Sequence, residues 1–504
     1  MSTMLLSAFH SLISPSVLLA VLTGTIGGII IGAIPGLTAT MAVALLIPVT
    51  FGMNPVVGLA LMGGVYSGGM YGGAISSILL STPGTPAAAA TAFDGYPLTR
   101  QGRGGLAITV ATVASFWGGI ISTFALLLLA PLLAKFALKF GPPEYFLLAI
   151  MGLASIVTLT SGNLIKGLIS GLLGLIIATI GMDPITGYIR FTWGIVDLYE
   201  GVSFMPALIG LFSISQILQL TSESQIVQEL AIAPKRLKRE KLPKGLAPTI
   251  TRGGLLGTIV GILPGAGATI AAFISYNFAK QISKHPEKFG KGNPEGVAAT
   301  ESANNGVVGG SLVPLLTLGI PGNSVAAALM GGLMIQGLIP GPELFTKHGA
   351  ITYAFILSLF LANIFFLILG LYFAPMFAKV ATVSNAILIP AIAILSVIGS
   401  YAINNSLFDV GLMLFFGITG YFLHKAGFSL GAIVLGLILG PIAELGFGQS
   451  LIISNGSPWI FFSRPISIVL WILIILLILP AFKGGIMKKM RAKEGESDSD
   501  AAGE

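Results

Sequence analysis

The chain has 504 residues, of which 54% are hydrophobic and 9% are charged, and its formal net charge is +7. A soluble protein of this length could not cover its surface with so few charges, so the composition excludes a soluble globular enzyme or binding protein. The sequence contains no cysteine, which excludes disulfides and thiolate metal sites.

Long uncharged runs predict a polytopic helical membrane protein. No Asp, Glu, Lys or Arg occurs before Asp94, and none lies between Glu301 and Glu343. Such runs are long enough to cross a bilayer as helices, and they lack the alternation of a transmembrane β-barrel. The first apolar segment has no positive n-region, so no cleaved signal peptide is expected. We predict an all-α fold with roughly 10–14 membrane segments.

Four Pro-Gly breaks interrupt the apolar segments and form two matched pairs. Residues 32–40 (GAIPGLTAT) match residues 261–269 (GILPGAGAT), and residues 81–89 (STPGTPAAA) match residues 319–327 (GIPGNSVAA). The two pairs are separated by 264 − 35 = 229 and 321 − 83 = 238 residues. Broken helices at corresponding positions of two halves indicate the binding site of a membrane transporter.

The spacing divides the chain into two repeats. We expect a first membrane repeat over 1–220, a basic cytoplasmic linker over 221–252, a second repeat with a C-terminal helix over 253–482, and a disordered cytoplasmic tail over 483–504. After the first break of each half, only the second half has basic residues. After the second break, the basic residues are mainly in the first half. This alternation predicts repeats of inverted topology, with Pro-Gly-broken helices or re-entrant hairpins. Two observations do not fit the alternation. Lys135 and Lys139 would lie outside, and a cytoplasmic C-terminal tail demands an extra crossing in one half.

The breaks suit the binding of a carboxylate and a small cation. Proline ends a helix, glycine redirects the chain, and the next helix presents free N–H groups and a positive dipole end. Freed carbonyls and nearby hydroxyls suit Na⁺. The candidate residues at the breaks are Pro35, Gly36, Thr38, Thr40, Thr82, Pro83, Gly84, Thr85, Pro264, Gly265, Gly267, Thr269, Pro321, Gly322, Asn323 and Ser324. The alternative is that the breaks are only kinks with small-residue helix packing.

Three further candidates lie where a long uncharged span begins. Glu301, Asn304 and Asn305 could bind a coupling cation, or Glu301 could carry a proton. The alternative is an interfacial helix start with Glu301 near the positive dipole end. For Asp94, beside Gly95, we expect a turn carboxylate before a basic loop.

Enzyme motifs are missing from the sequence. It has no GxxxxGK[ST] loop for nucleotide phosphates, no HExxH zinc motif and no GxSxG elbow, so we expect a protein that is not an enzyme. The alternatives to a transporter are an ion or solute channel with re-entrant loops, a membrane enzyme and a passive anchoring subunit.

At these motifs the sequence resembles the large membrane subunit of the tripartite tricarboxylate transporter family, the TctA type. The resemblance rests on the Pro-Gly segments at Gly32 and Gly261, on TPGTPA at Thr82, and on GIPGNS at Gly319 with the GLIPGP that follows at Gly337. It extends from about Leu18 to Phe482.

The resemblance implies a secondary transporter of the bacterial inner membrane. Its implied partners are a small four-helix membrane subunit and a periplasmic solute-binding protein. No nucleic-acid partner is expected, because the basic residues cluster in short stretches between apolar spans. The implied substrate is a carboxylate such as citrate, or else a dicarboxylate or an aromatic acid. The expected coupling ion is Na⁺, or else H⁺, with no other cofactor.

Overall fold

The structure, a computed structural model, describes residues 2–154, 164–222, 240–265, 267–380 and 383–479. Helices make up most of these residues. The described strands are Gly181–Met182 (β1) and Ile189–Arg190 (β2), which pair antiparallel with Gly181 opposite Arg190. The predicted all-α fold is confirmed.

The helices of the first half alternate between long spans and shorter segments. They are α1 (Ser2–Leu12), α2 (Pro15–Ala33), α3 (Ala39–Thr50), α4 (Pro55–Leu80), α5 (Ala88–Arg100), α6 (Gly104–Ala137), α7 (Pro142–Ala154), α8 (Leu164–Ala178), α9 (Phe204–Ile209) and α10 (Ser215–Ser222). A π-helical turn, Gly210–Ile214, joins α9 to α10.

The helices of the second half begin with the same order of elements. They are α11 (Ala247–Ile262), α12 (Gly267–Ile282), α13 (Pro294–Leu318), α14 (Ser324–Ile335), α15 (Glu343–Thr346), α16 (Gly349–Val380), α17 (Asn385–Asn404), α18 (Leu407–Lys425), α19 (Leu430–Ile453), α20 (Ile460–Ser463) and α21 (Pro465–Leu479). Short 3₁₀ turns cover Val196–Leu198 and Pro286–Lys288.

Each Pro-Gly break lies between two helices, as predicted. The breaks separate α2 from α3, α4 from α5, α11 from α12, and α13 from α14. The residues that end α4 and α13, Ser81 and Gly319, both have a left-handed backbone, with φ of 58° and 70°. Gly36 and Gly265 are left-handed too, which glycine permits without strain.

The α2–α4 and α11–α13 pairs pack through the same pattern of glycines. A Cβ added to any of these glycines would lie 2.1–3.0 Å from a backbone atom of the partner helix, so the two backbones touch. The pairs are Gly24–Leu61, Gly28–Val65 and Gly32–Gly69 in the first half, and Gly253–Ala299, Gly257–Ala303 and Gly261–Val307 in the second. The α2 and α11 positions differ by 229 and the α4 and α13 positions by 238, which are the offsets of the breaks. The packing therefore repeats with the sequence, and the inverted orientation of the second copy stays a prediction.

Seven helices among the described residues are long and apolar enough to cross a membrane. They are Pro15–Ala33, Gly104–Ala137, Phe204–Ser222, Gly349–Val380, Asn385–Asn404, Leu407–Lys425 and Leu430–Ile453. Large side chains such as Leu128 and Leu132 are exposed on these helices. Such a surface fits contact with lipid, and the higher number of segments stays a prediction.

The chain divides into two compact units, each built from both halves. One unit comprises Met1–Lys139 and Ser203–Ala426, and the other Phe140–Val202 and Gly427–Glu504. All four breaks belong to the first unit. Residues 223–239 of the predicted linker and the predicted tail, 483–504, lie outside the described residues, and α11 begins at Ala247, within the predicted linker.

Candidate functional site

The two breaks of each half lie against each other. A Cβ on Gly84 would lie 2.0 Å from the carbonyl oxygen of Gly32, and a Cβ on Gly322 would lie 2.7 Å from the carbonyl oxygen of Gly261. The backbone N–H of Gly265 also donates a 2.8 Å hydrogen bond to the carbonyl of Gly322. Only glycine fits these approaches, so the structure pairs the segments that the sequence analysis selected.

A helix N-terminus follows each break. The hydroxyl of Thr38 accepts a 3.1 Å hydrogen bond from the N–H of Met41 and caps α3. The Asn323 carbonyl oxygen accepts a 2.8 Å bond from the N–H of Ala326 and caps α14. Helices α5 and α12 begin after the other two breaks. The predicted arrangement of helix ends at the breaks is thus present.

The remaining break residues differ in exposure. Thr40 and Thr269 lie in the first turns of α3 and α12, Thr40 buried and Thr269 half-buried. Gly36 and Pro83 are exposed, whereas Pro264 and Pro321 are buried. The half-buried residues are Pro35, Thr82, Gly267 and Ser324. Their predicted roles in substrate or ion binding remain proposals.

Tyr66 on α4 joins the two halves at the second-half break, and the sequence analysis did not select it. Its hydroxyl accepts a 2.8 Å hydrogen bond from the Asn323 amide and shares another of 2.8 Å with the Ser311 hydroxyl. The Tyr66 side chain is fully buried. A polar aromatic residue inside a glycine-rich apolar helix was the available signal, because a buried phenol needs a partner.

Asn304 makes the reciprocal contact from α13 to α4. Its side-chain amide donates a 3.0 Å hydrogen bond to the carbonyl of Met70. The Asn304 side-chain oxygen itself has no partner among the described residues. Five other buried oxygens of this unit are also without a partner there, on Ser67, Thr85, Ser213, Asn305 and Ser396. Unpaired buried oxygens near helix breaks are available to a ligand.

Glu301 lies inside the protein and not at a helix start. It is the eighth residue of α13 and is fully buried. The Thr91 hydroxyl donates to one carboxylate oxygen at 2.5 Å, and the Ser115 hydroxyl donates to the other at 2.9 Å. Within the described residues it forms no ion pair. The alternative of a helix start is therefore wrong, because seven residues of α13 precede Glu301.

Asp94 is not a turn residue, contrary to the expectation from its neighbour Gly95. It lies within α5, is fully buried, and accepts a 2.9 Å hydrogen bond from the Tyr276 hydroxyl. Its other oxygen accepts bonds of 2.7–2.9 Å from the backbone N–H groups of Gly290, Gly292 and Asn293. Asp94 thereby fixes the loop that leads into α13.

Charged groups of the second unit pair with one another. Arg190 lies 3.2 Å from Asp183 and 2.6 Å from Glu444, and Arg464 lies 2.9 Å from Glu144. Backbone N–H groups of Thr186 and Ile185 hold the pKa of Asp183 below its usual range. Among the described residues, no group of three or more His, Asp or Glu side chains could hold a metal ion.

Known proteins resemble the chain along nearly its full length. The pattern of the Tripartite tricarboxylate transporter TctA family matches residues 18–435. An Agrobacterium vitis protein, described as an uncharacterized 52.8 kDa protein in the TAR-I ttuC' 3'region, is 38% identical over 465 residues, covering 91% of this chain and 92% of that protein. A second, described as an uncharacterized protein in the TAR-II ttuC' 3'region of the same organism, is 39% identical over 231 residues, covering 45% of this chain and 96% of that protein. No solved structure matches.

The family pattern covers all four Pro-Gly breaks and the helices that pair them. The seven apolar helices agree with a membrane protein of a transport family. The chain belongs to the TctA family of tripartite tricarboxylate transporters.

Proposed function

We propose that the chain is the large membrane subunit of a tripartite, binding-protein-dependent secondary transporter that imports a carboxylate on a cation gradient. The proposed substrate is citrate or a similar tricarboxylate, with a dicarboxylate or an aromatic acid as the alternative. The proposed partners are a small four-helix membrane subunit and a periplasmic solute-binding protein. The proposed coupling ion is Na⁺, with H⁺ as the alternative, and the proposed location is the bacterial inner membrane.

The observation that carries the proposal is the pairing of the four breaks within one compact unit. Each break is followed by the N-terminus of a helix of at least 12 residues, and helix N-termini attract carboxylates. Residues 32–40, 81–89, 261–269 and 319–327 contain no Lys or Arg. A substrate anion would therefore be held by backbone N–H groups and hydroxyls, with its charge balanced by bound cations.

The repeat gives this site two similar halves. In transporters built from inverted repeats, substrate and ion sites lie near the bilayer midplane where the repeats meet. Tyr66 connects one half to the other at the second-half break, and Asn304 connects α13 to Met70 on α4. We place the substrate near these connections, between Pro35-Gly36, Pro83-Gly84, Pro264-Gly265 and Pro321-Gly322.

The test is uptake of labelled carboxylates into proteoliposomes. The full tripartite set is reconstituted, a panel of tri-, di- and aromatic carboxylates is supplied, and Na⁺ and pH gradients are imposed separately. We expect saturable uptake that requires the binding protein and follows the Na⁺ gradient. Non-saturating flux without a gradient would indicate a channel and contradict the proposal.

Substitution at the helix ends tests the binding mode. Replacing Thr40 and Thr269 together with Ala should reduce uptake at least about tenfold, a change that corresponds to about 1.4 kcal/mol. The matched control is Thr317→Val, because the buried Thr317 hydroxyl bonds only to its own helix at the Val313 carbonyl. Unchanged uptake and ion dependence in the double variant would overturn the role of these hydroxyls.

A further inference from the structure

Helices α4 and α13 share one register, which allows the two halves to be compared residue by residue. Their left-handed terminal residues, Ser81 and Gly319, are 238 positions apart, and the glycine contacts along both helices give the same offset. In this register three positions of the first half are equivalent to three positions of the second half. Tyr66 corresponds to Asn304, Gly73 to Ser311, and Thr85 to Asn323.

At the second-half break, the side chains of Tyr66, Ser311 and Asn323 are joined by hydrogen bonds to one another. The Asn323 amide donates to the Tyr66 hydroxyl, which is bonded to the Ser311 hydroxyl, and Ser311 donates to the Val308 carbonyl at 3.1 Å. The phenol of Tyr66 supplies the polar group at the centre. All of these contacts are buried.

At the first-half break the equivalent groups are smaller and leave two oxygens unsatisfied. Asn304 replaces the tyrosine, and Gly73 replaces the serine. A Cβ on Gly73 would lie 2.5 Å from the Thr85 hydroxyl, so Thr85 packs directly on this turn of α4. Asn304 contacts the same helix at Met70, three residues earlier and therefore on the same face. The Asn304 side-chain oxygen and the Thr85 hydroxyl are both buried and have no partner among the described residues.

The chemistry of this position favours a cation. The Asn304 amide is already used in donating to Met70, so the side chain presents its oxygen. Glu301 lies one helical turn before Asn304 and forms no ion pair among the described residues, while its counterpart in the first half is Gly63. Residues 81–84 lie outside any helix, and their carbonyls accept no backbone hydrogen bond from the described residues. Hydroxyl, amide and free carbonyl oxygens near a carboxylate suit a hard monovalent ion.

We propose that the Asn304 side-chain oxygen and the Thr85 hydroxyl, which packs on Gly73, are ligands of a Na⁺ site at the first-half break. The site rests on the proposed function, in which this ion drives transport. The corresponding second-half position holds no ion, because the Tyr66 hydroxyl occupies it. The two halves thus differ in role, one binding the ion and the other joined directly by side chains.

The experiment measures Na⁺ binding to the purified full-length chain, without substrate or partner subunits. The unfolding temperature is followed as NaCl replaces choline chloride at constant ionic strength, and ²²Na⁺ binding gives the affinity directly. We expect a saturable rise in unfolding temperature for the natural chain. Thr85→Val keeps the shape but removes the ligand, and should weaken Na⁺ binding at least about tenfold. Thr85→Ser keeps the hydroxyl and should retain binding.

The Thr317→Val variant serves as the control, because it makes the same change at a buried threonine whose hydroxyl is already bonded. Absence of saturable Na⁺ binding by the natural chain, or unchanged affinity in Thr85→Val, would overturn the site. Carboxylate uptake driven by a proton gradient would then still support the proposed function. Conversely, Na⁺ binding without carboxylate uptake by the reconstituted set would keep the site and reject the transporter.

Discussion

Tyr66 is the residue at which the two halves of the first unit depend most directly on each other. A single hydroxyl accepts from Asn323 and bonds to Ser311, and these partners lie on either side of the second-half break. All three residues are more than nine-tenths buried, so water cannot replace a lost bond. The hydroxyl therefore fixes the position of the break relative to α4.

Tyr66→Phe should destabilise the protein while leaving its fold intact. Interhelical hydrogen bonds in membrane proteins contribute ~0.6 kcal/mol on average, whereas a buried donor left without a partner costs about 1–3 kcal/mol. Since the Asn323 amide loses its acceptor, we expect a cost of about 1–3 kcal/mol. Thermal unfolding in detergent measures it.

The control for this variant is Tyr353→Phe on α16. Tyr353 is also buried, but its hydroxyl makes no hydrogen bond within the described part of the chain. It should change the unfolding temperature much less. Equal effects of the two variants would show that the Tyr66 hydroxyl is not a structural link.

Glu301 should be essential for its charge more than for its shape. Glu301→Gln keeps an acceptor near Thr91 and Ser115 but removes the negative charge beside the proposed ion site. We expect a folded protein whose uptake falls at least about tenfold, corresponding to about 1.4 kcal/mol. Glu301→Ala should also lower stability by about 1–3 kcal/mol, because the buried Ser115 hydroxyl loses its acceptor, whereas Thr91 can still donate to the Thr300 hydroxyl at 3.0 Å.

Glu295 provides a matched control on the same helix. It accepts hydroxyl hydrogen bonds from Thr249 at 3.0 Å and Ser283 at 2.6 Å, but it lies in the first turn of α13. Glu295→Gln should leave uptake nearly unchanged. If both Gln variants lost uptake alike, the charge of Glu301 would have no special role.

At the scale of elements, glycine contacts decide how the broken helices pair. Gly28 and its equivalents bring two backbones together, which creates close packing without any hydrophobic force between helices in lipid. The adjacent Gly27 has no atom within 4 Å of an added Cβ. Alanine substitutions at Gly27 and Gly28 therefore distinguish the effect of interhelical packing from the effect of helix propensity.

Gly28→Ala should destabilise the protein strongly, and Gly27→Ala should not. At Gly28 the new methyl would lie 2.4 Å from the Val65 carbonyl oxygen, and such overpacking costs about 1–3 kcal/mol or more. At Gly27 the added methyl favours the helix by about 0.5–1 kcal/mol. Unfolding temperatures of the two variants, measured side by side, check the sign of each change, and a loss of stability in both would contradict the packing argument.

The sequence predicts where the helices end when the residues at the helix end themselves cause it. Proline and glycine end helices through their own backbone geometry, so the breaks at Pro35, Pro83, Pro264 and Pro321 could be placed from sequence. The partners of Tyr66 and Asp94 could not, because they lie on helices brought close only by folding. Burial of Glu301 was equally beyond the sequence, since a carboxylate at the start of an apolar run suits an interface and an interior site alike.

At the scale of the molecule, the two halves should assemble from separate chains. Residues 1–230 and 231–504 interact through buried contacts such as Asn304 with Met70 and Glu301 with Thr91. Coexpressed in one membrane, the fragments should co-purify through a tag on either one, and each alone should accumulate poorly because its polar groups lack partners. Stable accumulation of a single fragment would contradict this dependence.

The repeat was visible in the sequence, but the division into compact units was not. Offsets of 229 and 238 residues describe both the motifs and the helix contacts. The units, however, each take segments from both halves, because α7, α8 and α19 form one group although a long stretch of chain separates them. Such pairing depends on long-range packing, which motif spacing does not report.

The bond between Asn323 and Tyr66 joins residues 257 positions apart, and this separation has a consequence for biogenesis. At a translation rate of about 5–20 residues per second, the ribosome makes Asn323 roughly 13–50 s after Tyr66. For that interval the glycines of α4 can already pack on α2, but the Tyr66 hydroxyl lacks both of its partners. Chains stalled between these two points would therefore carry an unpaired phenol, a form that membrane proteases and insertion chaperones can distinguish from the finished protein.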